Sequence, residues 1–319
     1  MKQATFTKRN KEKWDDYSKK LRNYSSTKAD ELAEVYVNIS EDLAYSKSKY
    51  PKSDLVKHLN HLALSIHQLI YKNKKEEKGR FLNFWKREVP LAVYKSRKPL
   101  LYSLIIFLVS CIIGATSAHH DDTFVRLILG DQYVNLTLNN IERGDPLAIY
   151  KSAGSSEMFL GITVNNIRVS FAAFAMGLLF SFGTGYILFR NGVMLGSFQY
   201  FFYQKDLLQE SFLTIWIHGT LEISAIVIAG GAGITLGNSF LFPGTLPRYY
   251  SFKKGARNAI KIIVGLIPIF IIAGFLEGFV TRHNEYPDLL RLTIILSSLV
   301  FVVYYFIYLP VKQGRSALK

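Results

Sequence analysis

The stretch Ile215–Gly237, which reads IWIHGTLEISAIVIAGGAGITLG, decides how this sequence folds. It is as long and apolar as the roughly 20-residue helix that crosses a bilayer, yet it contains His218 and Glu222, one helical turn apart. Helical periodicity places this pair on one face with Ala229 and Gly233. Because small residues let another helix approach closely, we expect the polar pair to point into a helix bundle and not into lipid.

Four further apolar blocks accompany this stretch in a chain of 319 residues, 49% of them hydrophobic. They are Leu100–Ala118, Ile167–Arg190, Ile260–Phe279 and Leu289–Leu309. Such blocks are typical of transmembrane helices, so the sequence predicts an all-α, polytopic helical membrane protein. The polar segment before the first block does not resemble a signal peptide.

The first part of the chain is predicted to be a soluble helical bundle. Helical spacing of apolar residues indicates helices at about Lys8–Tyr24, from Ser26 or Thr27 up to Pro51, and from Ser53 onward. The third helix carries His58 and His61 on one face. Because no third ligand accompanies this pair, we interpret both residues as ordinary surface or packing histidines.

The domain boundaries follow from changes in composition. Residues 1–78 form the predicted cytoplasmic helical domain, 79–98 an interfacial elbow helix, 99–312 the transmembrane domain, and 313–319 a cytoplasmic tail. Aromatic and basic side chains mixed in the elbow are typical of the headgroup level of a membrane. The proposed anchors in this elbow are Phe84, Trp85, Lys86 and Arg87.

Charge predicts the orientation of the chain in the membrane. Residues 1–98 carry 23 Lys and Arg against 12 Asp and Glu, whereas residues 119–157 carry three against six. The positive-inside rule then places the N-terminus in the cytoplasm and residues 119–157 outside. A basic domain on a membrane favours anionic lipid or an acidic partner. No motif indicates nucleic-acid binding.

The sequence leaves open whether the chain crosses the membrane five or six times. With five, the basic segment 238–257 and the C-terminal tail would both lie outside, against the positive-inside rule. A short crossing or half-crossing at residues 190–204 removes both conflicts. We therefore prefer six crossings, with a helix break at Asn191, Gly192 and Gly196, which is tolerated at membrane depth where protein or water covers the backbone.

A second acidic residue in an apolar block extends the polar site. The pattern Gly-x-Leu-Glu occurs at residues 219–222 and again at 274–277, which ends in Glu277. Charged groups inside the membrane are costly and often functional. We predict one intramembrane polar site from His218, Glu222, Glu277, Arg168 and Asn166. It is either a proton, cation or lipid-headgroup site, or a set of structural pairs that fixes the bundle.

Other kinds of chemistry have weaker support in the sequence. The His and Glu spacing carries no metal-site signature, no nucleophile motif is present, and the single cysteine, Cys111, excludes a disulfide framework. We therefore predict no enzyme, no metal and no cofactor. The residues assigned to helix breaks and packing are Asn191, Gly192, Gly196, Gly219, Gly233, Gly237, Gly274 and Gly278.

Three segments together resemble the stage II sporulation protein M family. They are NNIRVSFAAFAMGLLFSFGTGYILFRNGVMLGSF, HGTLEISAIVIAGGAGITLG and AGFLEGFVT. The N-terminal helices are similar to the cytoplasmic extension of the long bacterial members. The positions that carry the resemblance are Asn166, Asn191, Gly192, Gly196, His218, Gly219, Glu222, Gly233, Gly237 and Glu277.

The resemblance implies a multi-pass protein of the bacterial inner membrane. Long members tend to be encoded beside a MoxR-type ATPase, RDD-family membrane proteins and other envelope proteins, which makes these the implied partners alongside membrane lipid. A homodimer is compatible with the small-residue faces. The first hypothesis is a non-enzymatic scaffold in an envelope complex, and the alternative is a proton- or cation-coupled transporter or channel. A water-accessible cavity at His218, Glu222 and Glu277 would favour transport, whereas a buried, paired site would favour the scaffold.

Overall fold

The computed structural model describes residues 1–22, 29–72, 79–148, 155–281 and 286–316, and these residues form helices without strands. The predicted all-α fold is confirmed. The chain divides into two compact units, Met1–Arg80 and Phe81–Lys319.

The first unit contains three helices, α1 (Gln3–Arg22), α2 (Ala29–Lys49) and α3 (Asp54–Lys72). Their apolar faces meet in a core that includes Trp14, Ile39 and Leu59. The Trp14 indole Nε1 donates a hydrogen bond of 2.9 Å to Asp42, which ties α1 to α2. The cap that we predicted at Ser26 or Thr27 lies outside the described residues. Helix α2 ends just before Pro51, as the sequence predicts.

The second unit is a bundle of long and short helices. Its helices are α4 (Arg80–Asn83), α5 (Val89–Lys95), α6 (Arg97–His120), α7 (Asp122–Leu129), α8 (Asp131–Glu142), α9 (Ser155–Ala175), α10 (Phe182–Gln204), α11 (Leu208–Leu241), α12 (Arg248–Phe275), α13 (Asp288–Val303) and α14 (Leu309–Ser316). Helix α4 begins at the last residue of the first unit. Wider π-helical turns occupy residues 84–88, 276–281 and 304–308. Helix α14 runs through the predicted tail boundary at residues 312–313.

Five of the helical segments in the described residues are long and apolar enough to cross a membrane. They are Arg97–His120, Phe159–Leu178, Leu208–Leu241, Arg248–Thr281 and Asp288–Ser316. The chain is therefore a multi-pass membrane protein. Helix α11 is the central helix of this unit. Of its most apolar 18 residues, 67% are buried, against 22% for α6 and 17% for the last segment.

The second apolar block, predicted as one span at Ile167–Arg190, is divided by a tight turn. Helix α9 ends at Ala175, a short 3₁₀ segment follows, and α10 begins at Phe182. Phe180 and Ser181 in the turn have φ values of 54° and 65°, which non-glycine residues rarely adopt. The prediction of a single helix here is wrong, because apolar composition continues through the turn and hides it.

The predicted helix break at Asn191, Gly192 and Gly196 is also wrong. Helix α10 is continuous through all three residues, and the Asn191 side chain donates a hydrogen bond of 2.8 Å to Ile187 O within the helix. The glycines instead let α10 lie against α6, since a Cβ on either one would collide with the α6 backbone near Cys111. At 23 residues, α10 is a sixth long helix among the described residues of the second unit, about 34 Å in length at 1.5 Å per residue.

The elbow segment forms α4, a π-helical turn and α5, close to the end of α14. The π turn contains the four predicted anchors. Pro90 follows Trp85 by five positions and Lys86 by four, and it has no N–H to donate to either carbonyl. The Tyr305 hydroxyl donates to Trp85 O at 2.7 Å, and the Gln313 amide donates to Lys86 O at 2.5 Å. These bonds attach the elbow to the last helices of the bundle.

Candidate functional site

A polar cluster lies between α11 and the π-helical turn that follows α12. Helix α11 presents His218 and Glu222 on one face, and the turn at residues 276–281 supplies Glu277 and Thr281. His218 and Glu277 are buried, at 4% and 9% exposure, whereas Glu222 is half-buried. This face of α11 is turned toward other helices, as the sequence predicts.

The three ionisable side chains converge on one point. One ligand atom from each of His218, Glu222 and Glu277 lies within 4.8 Å of the other two. His218 Nε2 is 3.6 Å from Glu277 Oε2, and His218 Nδ1 is 3.0 Å from Thr281 Oγ1. Thr281 therefore contacts the imidazole from the side opposite Glu277. The sequence did not indicate this threonine, because a pattern with the α-helical period of 3.6 residues does not reveal the π turn that places it beside His218.

Helix α9 covers the cluster with amide and hydroxyl groups. Asn166 is buried next to Glu222, but its Nδ2 makes no hydrogen bond of normal geometry. Thr163, one turn earlier, lies against Gly274 of α12, where an added Cβ would collide with the threonine hydroxyl. Asn166 thus lies at the cluster as predicted, and Thr163 packs one turn away on Gly274.

Arg168 does not join the cluster, and this part of the prediction is wrong. Arg168 is exposed, whereas Asn166 is buried. Residues two apart on an α-helix point about 200° from each other, so α9 cannot direct both toward α11. The prediction of Arg168 rested on its charge and did not take this periodicity into account.

Buried polar groups extend along α9 and α11 on both sides of the cluster. Among the described residues of α9 and α11, six have a buried side-chain atom without a hydrogen-bond partner. One is Trp216, and the other five are Thr163, Asn166, Ser170, Ser211 and Thr214. These five are spaced by three or four positions within each helix, which places them on single faces. Buried polar groups normally have a partner, which is often water, so this row is suited to holding water or an ion.

The glycines that we predicted to serve packing fall into two groups. Methyl groups at Gly192, Gly196, Gly233, Gly237 and Gly274 would collide with neighbouring helices. At Gly219 the nearest atoms to an added Cβ are 3.7 Å away, which is ordinary contact. Gly219 is therefore not required for close helix approach, although it is buried. Gly278 is buried in the π turn.

Two cavities lie elsewhere on the spanning unit. A groove of about 1030 Å³ is lined by apolar residues such as Leu104, Ile112 and Ile223, and a smaller one of about 450 Å³ by Phe180, Phe240 and their neighbours. Neither of these two is lined by His218, Glu222 or Glu277. Their apolar walls are suited to lipid chains.

Residues 103–282, more than half of the chain, match the profile of stage II sporulation protein M. The chain belongs to the stage II sporulation protein M family. The match contains α6 from Ser103 onward and the whole of the polar cluster, and this confirms the resemblance seen in the sequence. Residues 4–72 match a domain of unknown function, DUF8413. No curated protein and no solved structure matches the chain.

Proposed function

We propose that the chain is a non-enzymatic scaffold in a complex of the bacterial cell envelope. The observation that carries this proposal is the burial of the polar cluster. His218 and Glu277 are enclosed, and the contact between His218 and Thr281 joins α11 to the π turn. Polar contacts of this kind fix the register of membrane helices, which suits a component that holds a geometry.

The packing around α11 supports a rigid spanning unit. Gly233 lies against the Ala173 carbonyl of α9 and the Thr184 hydroxyl of α10, and Gly237 lies against the turn between those helices. The Ser103 hydroxyl of α6 donates a buried hydrogen bond of 2.6 Å to Val227 O. Because these helices pack in direct contact at the glycines, little room is left for one helix to slide past another.

The partners in this proposal are a MoxR-type ATPase, RDD-family membrane proteins, other envelope proteins or a second copy of the chain, together with membrane lipid. The basic character of residues 1–98 supports an acidic protein surface or anionic lipid as the contact of this region. Nucleic acid forms no part of the proposal.

The proposed location is the bacterial inner membrane, with the N-terminus in the cytoplasm. Single cysteines in a Cys111→Ala background test this orientation with a membrane-impermeant maleimide on spheroplasts. Gln132 in α8 and Lys57 in α3 are both exposed. We expect Gln132→Cys to be labelled on intact spheroplasts and Lys57→Cys only after permeabilisation. The reverse pattern would exclude this orientation.

The scaffold role is tested with the double variant Glu222→Gln and Glu277→Gln. Both replacements keep the side-chain shape and remove ionisation, so partners that co-purify with the full chain from native membranes should be retained. The envelope phenotype of a deletion strain should also be rescued. The thermal unfolding temperature of the variant controls for folding. A folded variant that keeps its partners but does not rescue the strain would contradict the scaffold proposal.

A second candidate, ion or proton transport, is favoured by the row of buried polar atoms without partners on α9 and α11. Such a row could hold water leading to Glu222. Proteoliposomes containing the purified chain test it directly by the collapse of an imposed proton or cation gradient. Transport predicts a flux that the double glutamine variant abolishes, whereas the scaffold predicts the leak rate of empty liposomes for both proteins.

A further inference from the structure

We propose that His218, Glu222 and Glu277 form a binding site for a divalent transition metal ion, and that Zn²⁺ is the ion that fits best. The proposal depends on the geometry of the cluster and does not depend on the scaffold or transport role. It also departs from the sequence analysis, which predicted no metal because the three residues lack a recognisable spacing.

The first argument is the separation of the ligand atoms. Nitrogen and oxygen ligands at about 2.0–2.2 Å from a tetrahedral zinc ion lie roughly 3.3–3.6 Å from each other. His218 Nε2 and Glu277 Oε2 are 3.6 Å apart, which is too long for a good hydrogen bond but suits one edge of such a tetrahedron. All three ligand atoms lie within 4.8 Å of one another, a range that rotation of a carboxylate can close.

The second argument is the orientation of the imidazole. In the tautomer that carries its proton on Nδ1, His218 donates to Thr281 Oγ1 at 3.0 Å and presents the Nε2 lone pair toward Glu277. Metal-binding histidines usually donate their other ring N–H to a neighbouring oxygen, which fixes the ring and the tautomer. Thr281 is the residue in that position here.

The third argument is electrostatic. Glu222 and Glu277 lie close enough to interact directly, and like charges in a low-dielectric interior repel strongly. Among the described residues, no lysine or arginine forms an ion pair with either carboxylate. A cation held between the two would remove the repulsion, and His218 supplies a neutral third ligand.

Helix α9 supplies a further polar side chain beside Glu222. The Asn166 side chain, at 4% exposure, lies beside Glu222, and its amide nitrogen makes no hydrogen bond of normal geometry. The two ends of an amide are assigned from their hydrogen bonds and not observed directly. With the amide rotated by 180°, Oδ1 would face the cluster as a fourth ligand or as the acceptor for a metal-bound water.

The donor set selects the class of ion. Calcium and magnesium prefer sites made only of oxygen ligands, whereas an imidazole with carboxylates suits zinc and other transition metals. Bound at this point, the ion would join α11, the π turn and α9. Insertions of π geometry into helices occur frequently at functional sites, which agrees with two of the contacting residues, Glu277 and Thr281, lying in such a turn.

The experiment measures Zn²⁺ binding to the full chain purified in detergent, by competition with a fluorescent chelator and by metal analysis after dialysis. We expect one Zn²⁺ per chain. Glu277→Gln and His218→Gln should each weaken binding by at least about tenfold. Zn²⁺ should raise the unfolding temperature of the unmodified chain, since a ligand of the native state stabilises it, and should not raise that of the variants.

Two controls keep the result specific. Gly219 lies on the same turn of α11 as His218, and a Cβ at this position would make only ordinary contacts. The variant Gly219→Ala should therefore bind Zn²⁺ as the unmodified chain does. The double variant His58→Gln and His61→Gln removes an alternative histidine pair in the first unit and should also bind normally. Loss of binding in this second control, with retention in His218→Gln, would overturn the proposal.

A spectroscopic measurement covers the case in which the cluster variants do not fold. X-ray absorption of the Zn²⁺-loaded, unmodified chain should show one imidazole and a remaining shell of oxygen ligands at about 2.0–2.2 Å. A shell with several imidazoles would indicate surface histidines and would refute the assignment. Less than a tenth of an ion per chain, at Zn²⁺ concentrations that saturate the chelator, would refute it as well.

Discussion

Replacing Gly233 with alanine places a methyl group where three helices meet. The new Cβ would lie 2.5 Å from Ala173 O on α9 and 2.5 Å from Thr184 Oγ1 on α10. Carbon and oxygen atoms in van der Waals contact are normally more than 3 Å apart, so at least one helix must move. The same two oxygens are joined to each other, because the Thr184 hydroxyl donates to Ala173 O at 2.6 Å.

The magnitude follows from two costs and one gain. Forcing a methylene-sized group into a packed core costs about 1–3 kcal/mol, and disturbing the buried hydrogen bond costs about 1 kcal/mol more. Alanine favours a helix over glycine by about 1 kcal/mol. Gly219→Ala receives the same gain without the clash, since its nearest neighbours are 3.7 Å away. The two variants should therefore differ by about 2–4 kcal/mol in unfolding free energy.

Thermal unfolding of both variants in the same detergent measures this difference. For a unit of this size, each kcal/mol corresponds to roughly 2–4 °C. Gly233→Ala should therefore unfold about 4–16 °C below Gly219→Ala. Adding Thr184→Ala removes one of the two colliding oxygens and should recover part of the loss. Equal unfolding temperatures for the two alanine variants would refute the argument that close approach, and not glycine content, shapes this bundle.

Three further substitutions, one of them with a matched control, test single positions. Thr281→Val removes the hydroxyl that orients His218 and should cost about 0.5–1.5 kcal/mol while weakening Zn²⁺ binding roughly tenfold, both measured on purified protein. Ser103→Ala removes a buried bond between α6 and α11 and should cost about 1 kcal/mol by thermal unfolding. Ile39→Ala, in the fully buried core of the first unit, should lower the unfolding free energy by about 2–5 kcal/mol. Val37→Ala, at an exposed position on the same helix, should change it by less than about 0.5 kcal/mol. Hydrogen exchange of α2, measured in the full chain, distinguishes the two variants.

Helical periodicity accounts for the parts of the site that the sequence could predict. A fixed rotation per residue places His218 and Glu222 on one face of α11, and the small residues on that face indicate that it is turned toward other helices. The repeated Gly-x-Leu-Glu pattern then suggested that Glu277 meets the first acid. These arguments need only local geometry, and the structure brings the three side chains together.

The parts that the sequence could not predict depend on where the helices end. In the turn at residues 179–181, Phe180 and Ser181 have positive φ values although the turn contains no glycine or proline, so no composition signal marks it. The π turn at residues 276–281 is likewise invisible to a pattern with a period of 3.6 residues. Without it, Thr281 could not be assigned to the imidazole from the sequence.

The position of the polar cluster is a consequence of the packing of small residues around it. Gly274 allows Thr163, and with it α9, to lie against α12, and Asn166 on the same face of α9 then reaches Glu222. Further along, α9 lies against α11 at Gly233. The two helices are parallel, since residue numbers increase in the same direction along both. Small side chains bring the backbones close, and the polar groups meet because they lie on the faces so joined.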